Sequence, residues 1–145
     1  MKPNVVRCVL LADRNHGLTE ATRSLLETSF DAVVMVADEA SLVESAKRLQ
    51  PMIAVVDLSL LASESLRWIK WLRALCPEVK LILLSVHDEP SVCRLAMDSG
   101  ADAFVLKRAI ATDLMVAVDA VLAGKRYCSP DALDHPAPDQ RTKPA

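Results

Sequence analysis

The stretch Ile53-Ala54-Val55-Val56-Asp57 decides how this chain is read. Four apolar residues in succession, three of them β-branched, suit a strand covered by protein on both faces, which is the habit of parallel sheets. The run then stops on a carboxylate.

Outward from that stretch the pattern repeats. Val5-Val6-Arg7-Cys8-Val9-Leu10-Leu11 runs into Ala12-Asp13, and Val33-Val34-Met35-Val36 forms a second short run. Leu81-Ile82-Leu83-Leu84 ends in Ser85, and Ala103-Phe104-Val105-Leu106 ends in Lys107. Segments of helical period lie between and after these runs. Leu18, Thr22, Leu25 and Leu26 stripe the first; Leu42, Val43, Ala46 and Leu49 stripe the second, which Gln50-Pro51 stops. Leu66, Ile69, Leu72 and Leu75 mark the third, ended by Pro77. The fourth opens at Pro90 and closes at Gly100; the fifth starts at Thr112 or Asp113 and runs through Leu114, Val118 and Val121 to Gly124. Strand and helix alternating five times predict an α/β, doubly wound parallel sheet with helices on both faces.

At 145 residues the chain suits one core rather than two. A net charge of −2 gives no electrostatic ground for binding nucleic acid directly. Met1 to Arg7 leads straight into a strand-like run instead of a signal peptide, and no apolar run is long enough to span a bilayer, so a cytoplasmic protein is expected. Cys8, Cys76, Cys93 and Cys128 are widely spaced, without the close pairs of a zinc site, and read as small apolar residues in a reducing compartment. From Ser129 to Ala145 four prolines and no periodicity predict a disordered tail or linker, giving a domain over 1–128 and a tail over 129–145.

In open parallel sheets ligands sit at the carboxyl ends of the strands. Asp13, Asp57, Ser85 and Lys107 all fall there, so two carboxylates, a hydroxyl and an amine would share one crevice. Singly, each is ordinary: a strand-ending Asp is often a helix cap, Ser85 a turn residue, Lys107 a solvated charge. The four in this order are specific.

These residues carry a family resemblance. Val9-Leu-Leu-Ala-Asp13, Ile53-Ala-Val-Val-Asp57, Leu81-Ile-Leu-Leu-Ser85 and Ser99-Gly-Ala-Asp-Ala-Phe-Val-Leu-Lys107 resemble the receiver domains of two-component response regulators. Gly124-Lys-Arg-Tyr-Cys-Ser-Pro130 is similar to the exit segment of the subgroup with a LuxR-type helix-turn-helix output, and the likeness covers about Val5 to Pro130. The resemblance implies a flavodoxin-like (βα)5 three-layer sandwich with five parallel strands in the order 2-1-3-4-5. It makes Asp57 the phosphorylated nucleophile, served by a sensor histidine kinase or a small acyl phosphate, with Ser85 and Lys107 binding the phosphoryl oxygens. Mg²⁺ would be held by Asp13, Asp57 and the backbone carbonyl of Ser59. Ser85 and Phe104 would be the switch pair, and the changed surface would favour a homodimer on activation. DNA would be reached only through an output domain not in this chain, and the receiver would assist its own phosphotransfer without being a dedicated enzyme.

Three departures stand out. The family usually has two consecutive acids at the end of strand one, the second a direct metal ligand, and here Arg14 takes that second position. A guanidinium cannot ligate Mg²⁺, so weak metal binding is expected. Where relatives commonly carry Met-Pro-Gly, this chain has Leu60-Leu61-Ala62, and Arg108 rather than proline follows Lys107. Trp71 lies off the stripe of the third helix beside Trp68 and reads as partly buried against a loop; His16 and His87 flank the crevice without partners. Two other functions compete with the phospho-switch: a phosphate-independent pseudo-receiver in which Arg14 locks Asp57 in a salt bridge, and a flavodoxin-like binding protein or enzyme. The second lacks a phosphate-cradling glycine loop.

Overall fold

The computed structural model describes residues 7–61 and 65–132. Five strands, β1 (Cys8–Ala12), β2 (Ala32–Val36), β3 (Ile53–Asp57), β4 (Lys80–Ser85) and β5 (Ala103–Leu106), alternate with five helices. These are α1 (His16–Leu26), α2 (Glu39–Leu49), α3 (Ser65–Leu75), α4 (Pro90–Ser99) and α5 (Ile110–Leu122). The strands are parallel throughout, as the alternating pattern predicts, and ordered β2-β1-β3-β4-β5, as the family resemblance implies.

The unbroken apolar runs are explained by side chains that alternate between two cores. Leu10, Ala12, Ala54, Val56, Leu81, Leu83, Phe104 and Leu106 face the core shared with α2, α3 and α4. Val9, Leu11, Ile53, Val55, Ile82, Leu84, Ala103 and Val105 face the core shared with α1 and α5. Register follows: one-residue slippage would exchange the two sets wholesale.

Local signals fix the helix ends. The Asn15 and Asp38 side chains cap α1 and α2 by accepting hydrogen bonds from Leu18 N (3.2 Å) and Ser41 N (2.7 Å). Gln50, in the left-handed region at φ 44°, ends α2 ahead of Pro51, and Gly100 ends α4 at φ 123°.

The structure adds four features to the sequence reading. A sixth strand, β6 (Tyr127–Cys128), adds parallel to β5, with Phe104 opposite Cys128. Two residues are too few for any periodic signal. The chain also stays packed past residue 128: Ser129 and Ala132 are fully buried, and Pro130–Ala132 form a 3-10 turn. The remainder of the expected tail lies outside the described residues, as do Ala62 and the side chains of His16 and Leu66. Cys93 and Cys128 form a disulfide between α4 and β6, while Cys8 and Cys76 are free. The sequence carries no signal for this pairing, since the two cysteines lie 35 residues apart without a motif. In addition, α5 starts at Ile110 through a 3-10 turn over Lys107–Ala109, ahead of Thr112. Trp68 is buried and Trp71 is 38% exposed beside it, so only part of the pair is covered.

Candidate functional site

β1, β3, β4 and β5 end side by side, and their terminal residues meet as a parallel sheet requires. Lys107, first residue after β5, reaches across two strands: its Nζ lies 3.0 Å from Asp57 Oδ2 and 3.2 Å from Asp13 Oδ2. Both carboxylates are nearly sealed from solvent, at 2% for Asp57 and 3% for Asp13. Burial without a partner would cost several kcal/mol per charge, so the shared ammonium sets the geometry.

Asp57 also caps the 3-10 turn Leu58–Leu60, accepting from Ser59 N (3.1 Å) and from Ser59 Oγ (2.8 Å). Burial pushes its pKa up, but the bonds from Lys107 and Ser59 outweigh this and hold the carboxyl below its usual range. Asp13 goes the other way. Burial lifts its pKa above the usual range, the Asp57 charge adds to that, and the bonds from Asn15 N and Lys107 only partly offset it. Burial works against the Lys107 ammonium, yet its two carboxylate partners outweigh it and raise its pKa. Asp57 is therefore the more readily ionised of the two carboxylates.

Ser85 stands at the end of β4, 1% exposed, but its hydroxyl is turned to its own loop. Its Oγ accepts from His87 N (2.8 Å) and donates to His87 O (3.1 Å). A space of about 180 Å³ opens between Asp57, Leu58, Ser59 on one side and Ser85, Val86, His87 on the other, enough for a small tetrahedral group. Phe104 lies fully buried in β5. Its carbonyl accepts from Ser129 N (2.8 Å), which ties it to the exit segment.

Arg14 is exposed and does not meet Asp57. Its Nη2 donates to the Leu60 carbonyl at 3.4 Å, so the salt bridge imagined for a pseudo-receiver is not formed. The donors suit Mg²⁺ poorly. Asp13 Oδ2 is buried and makes no hydrogen bond besides its 3.2 Å ion pair with Lys107, and Ser59 follows Asp57 by two residues. The remaining acidic position is a guanidinium, however, and no group of three His, Cys, Asp or Glu side chains fit for a metal forms among the described residues.

The sequence missed two participants. Ser59 was assigned only through its carbonyl, whereas its side chain holds Asp57. Ser129 was assigned to the tail, yet its Oγ accepts from Leu106 N (3.0 Å) and donates to Asp113 Oδ2 (2.9 Å), next to Lys107. The serine two residues after Asp57 could have been flagged as a turn residue; nothing in the sequence marks Ser129.

Fold and crevice together define a receiver-type α/β domain. The response regulator receiver domain family matches residues 9–119, and the chain belongs to that family. The transcriptional regulatory protein DegU of Brevibacillus brevis is 26% identical over 124 residues, covering 84% of this chain and 52% of that protein. The response regulator GacA of Pseudomonas viridiflava is 27% identical over 128 residues, covering 87% of this chain and 59% of its own length. The chain thus spans between half and three-fifths of these curated relatives. Among solved structures, a LuxR-family two-component response regulator from Aurantimonas sp. matches with TM-score 0.78 and 25% identity over 88% of this chain and 93% of that one. RcsB of Salmonella typhimurium shares the fold, with TM-score 0.78 and 23% identity over 88% of this chain and 65% of that one. No described helix is long and apolar enough to cross a membrane.

Proposed function

We propose that this receiver domain accepts a phosphoryl group on Asp57 from a sensor histidine kinase and uses it to change the surface around α4, β5 and α5. The observation that carries the reading is the buried, ionised Asp57 carboxylate, 3.0 Å from Lys107 and beside a space of phosphoryl size. An Asp57 oxygen attacks phosphorus, the bond to the donor nitrogen breaks, and the donor histidine leaves with the electron pair. No proton need leave Asp57 first. Lys107 then follows the charge from carboxylate to phosphoryl oxygens. Ser85 exchanges its His87 bonds for one to the phosphoryl group, which pulls on the loop leading into α4.

Phe104 and Ser129 would pass that change to the exit segment. The relatives are transcriptional regulators, and RcsB forms dimers that bind DNA. By that analogy the phosphorylated domain forms a homodimer and controls transcription through a DNA-binding domain outside this chain, in the cytoplasm. The domain turns over no substrate of its own. Mg²⁺ would find only Asp13, Asp57 and the Ser59 carbonyl, with water completing its shell, and so bind weakly.

Intact-mass spectrometry after incubation with acetyl phosphate tests the reading. One phosphoryl group should appear on the wild-type chain and none on Asp57→Asn. An unmodified wild-type chain at high donor concentration, with and without Mg²⁺, would remove the phosphoacceptor role.

A further inference from the structure

We propose that Arg14 is a built-in cation for the phosphoryl group, so that Asp57 is phosphorylated without need of a divalent metal. This rests on the reading of Asp57 as phosphoacceptor and adds a residue to it.

The charge balance of the crevice motivates it. Asp13 and Asp57 are two buried carboxylates, and Lys107 is divided between them at 3.2 and 3.0 Å. Phosphorylation consumes the Asp57 charge and places close to two negative charges at the same point. Lys107 cannot neutralise Asp13 and the phosphoryl group together, and a further cation must come within reach. Divalent metal is a poor answer here, because the residue beside Asp13 is itself permanently cationic and would repel it.

Arg14 is placed to supply that charge. It follows Asp13 directly, and its guanidinium lies over the turn Leu58–Leu60, whose Ser59 holds Asp57. The single hydrogen bond that keeps it there is long, 3.4 Å, and goes to a neutral carbonyl. Such a bond is weak, while a guanidinium–phosphate contact is charge-assisted and frequently bidentate. Arg14 is also exposed, so its reorientation breaks no core packing. In the loaded state the guanidinium leaves Leu60 and donates to a phosphoryl oxygen, while Lys107 takes another. With acetyl phosphate the bond formed is Asp57 O–P, the bond broken is acetyl O–P, and acetate departs with the electron pair. Arg14 keeps its proton throughout and acts as a positioning cation.

The test follows phosphoryl uptake from acetyl phosphate in EDTA and in Mg²⁺ for the full chain, Arg14→Gln and Arg14→Asp. Expected are equal rates for wild type in both media, a loss of about a hundredfold for Arg14→Gln in EDTA, and Mg²⁺-dependent uptake for Arg14→Asp. Wild-type uptake abolished by EDTA, or Arg14→Gln as fast as wild type in EDTA, would overturn the proposal. A second readout separates it from the parent reading: inorganic phosphate binding to Asp57→Asn protein in EDTA, followed by amide chemical shifts. If wild type takes up no phosphoryl group at all, the phosphoacceptor reading falls. Phosphate binding that disappears in the Asp57→Asn, Arg14→Gln double variant would then still sustain Arg14 as the anion contact; binding that ignores Arg14 would refute it.

Discussion

At the scale of residues, Lys107 governs the crevice. Replacing it with methionine leaves two buried carboxylates facing each other with no cation between them. Lys107→Met should lower stability by roughly 3–5 kcal/mol in urea unfolding at neutral pH. Adding Asp13→Asn should recover part of that loss. Asp13→Asn alone should stabilise, because the folded chain holds the Asp13 carboxyl above its ordinary 3.8. Ionisation is thus easier in the unfolded chain, and stability falls as pH rises from the ordinary value through the raised folded one. The gain from Asp13→Asn should accordingly be present at neutral pH and vanish below the ordinary carboxylate range. Asp57 behaves oppositely: its contribution is present above the ordinary value and is lost as pH falls through its lowered folded value. Denaturant midpoints of both variants across that acid range check the signs; a gain from Asp13→Asn that persists in acid would contradict them. Sequence revealed the identities of Asp13, Asp57, Ser85 and Lys107 because strand ends are readable from where apolar runs stop. It could not show the hydroxyl of Ser85 turned to His87, nor Arg14 directed to Leu60, because both depend on loop paths set by tertiary contacts.

At the scale of elements, the exit segment is the feature that sequence concealed. Proline and serine at 129–130 looked like the start of a linker, yet β6 and the turn behind it complete the sheet edge. The five longer strands were legible because each carries residues for two cores; β6 carries two residues and borrows its order from β5. Ser129→Ala removes an acceptor from buried Leu106 N–H and a donor from Asp113. It should cost about 1–3 kcal/mol and speed hydrogen exchange at the Leu106 amide, whereas unchanged exchange there would show that β6 is not held by this bond. The Cys93–Cys128 disulfide closes a loop of separation 35 between α4 and β6. Its reduction should destabilise the chain by roughly 3–4 kcal/mol, with no redox dependence left in Cys93→Ala. Equal melting temperatures with and without reductant would mean that the pair contributes nothing.

At the scale of the molecule, a parallel sheet with two cores holds a small charged crevice at one edge of its strands and a covered exit segment at another. The path between them is short: Asp57 to Lys107, Lys107 to Leu106, Leu106 to Ser129, with Phe104 hydrogen-bonded to the same serine. In the proposed function, a phosphoryl group on Asp57 would act through this path on the strand that carries the departing chain. Every step of this proposed path begins with Asp57 as the acceptor. The most direct measurement is borohydride trapping after treatment with acetyl phosphate, followed by peptide sequencing in a mass spectrometer. Reduction of an aspartyl phosphate leaves homoserine, and the account predicts it at residue 57 and nowhere else. A phosphorylated chain with homoserine at another aspartate, or none at residue 57, would contradict it.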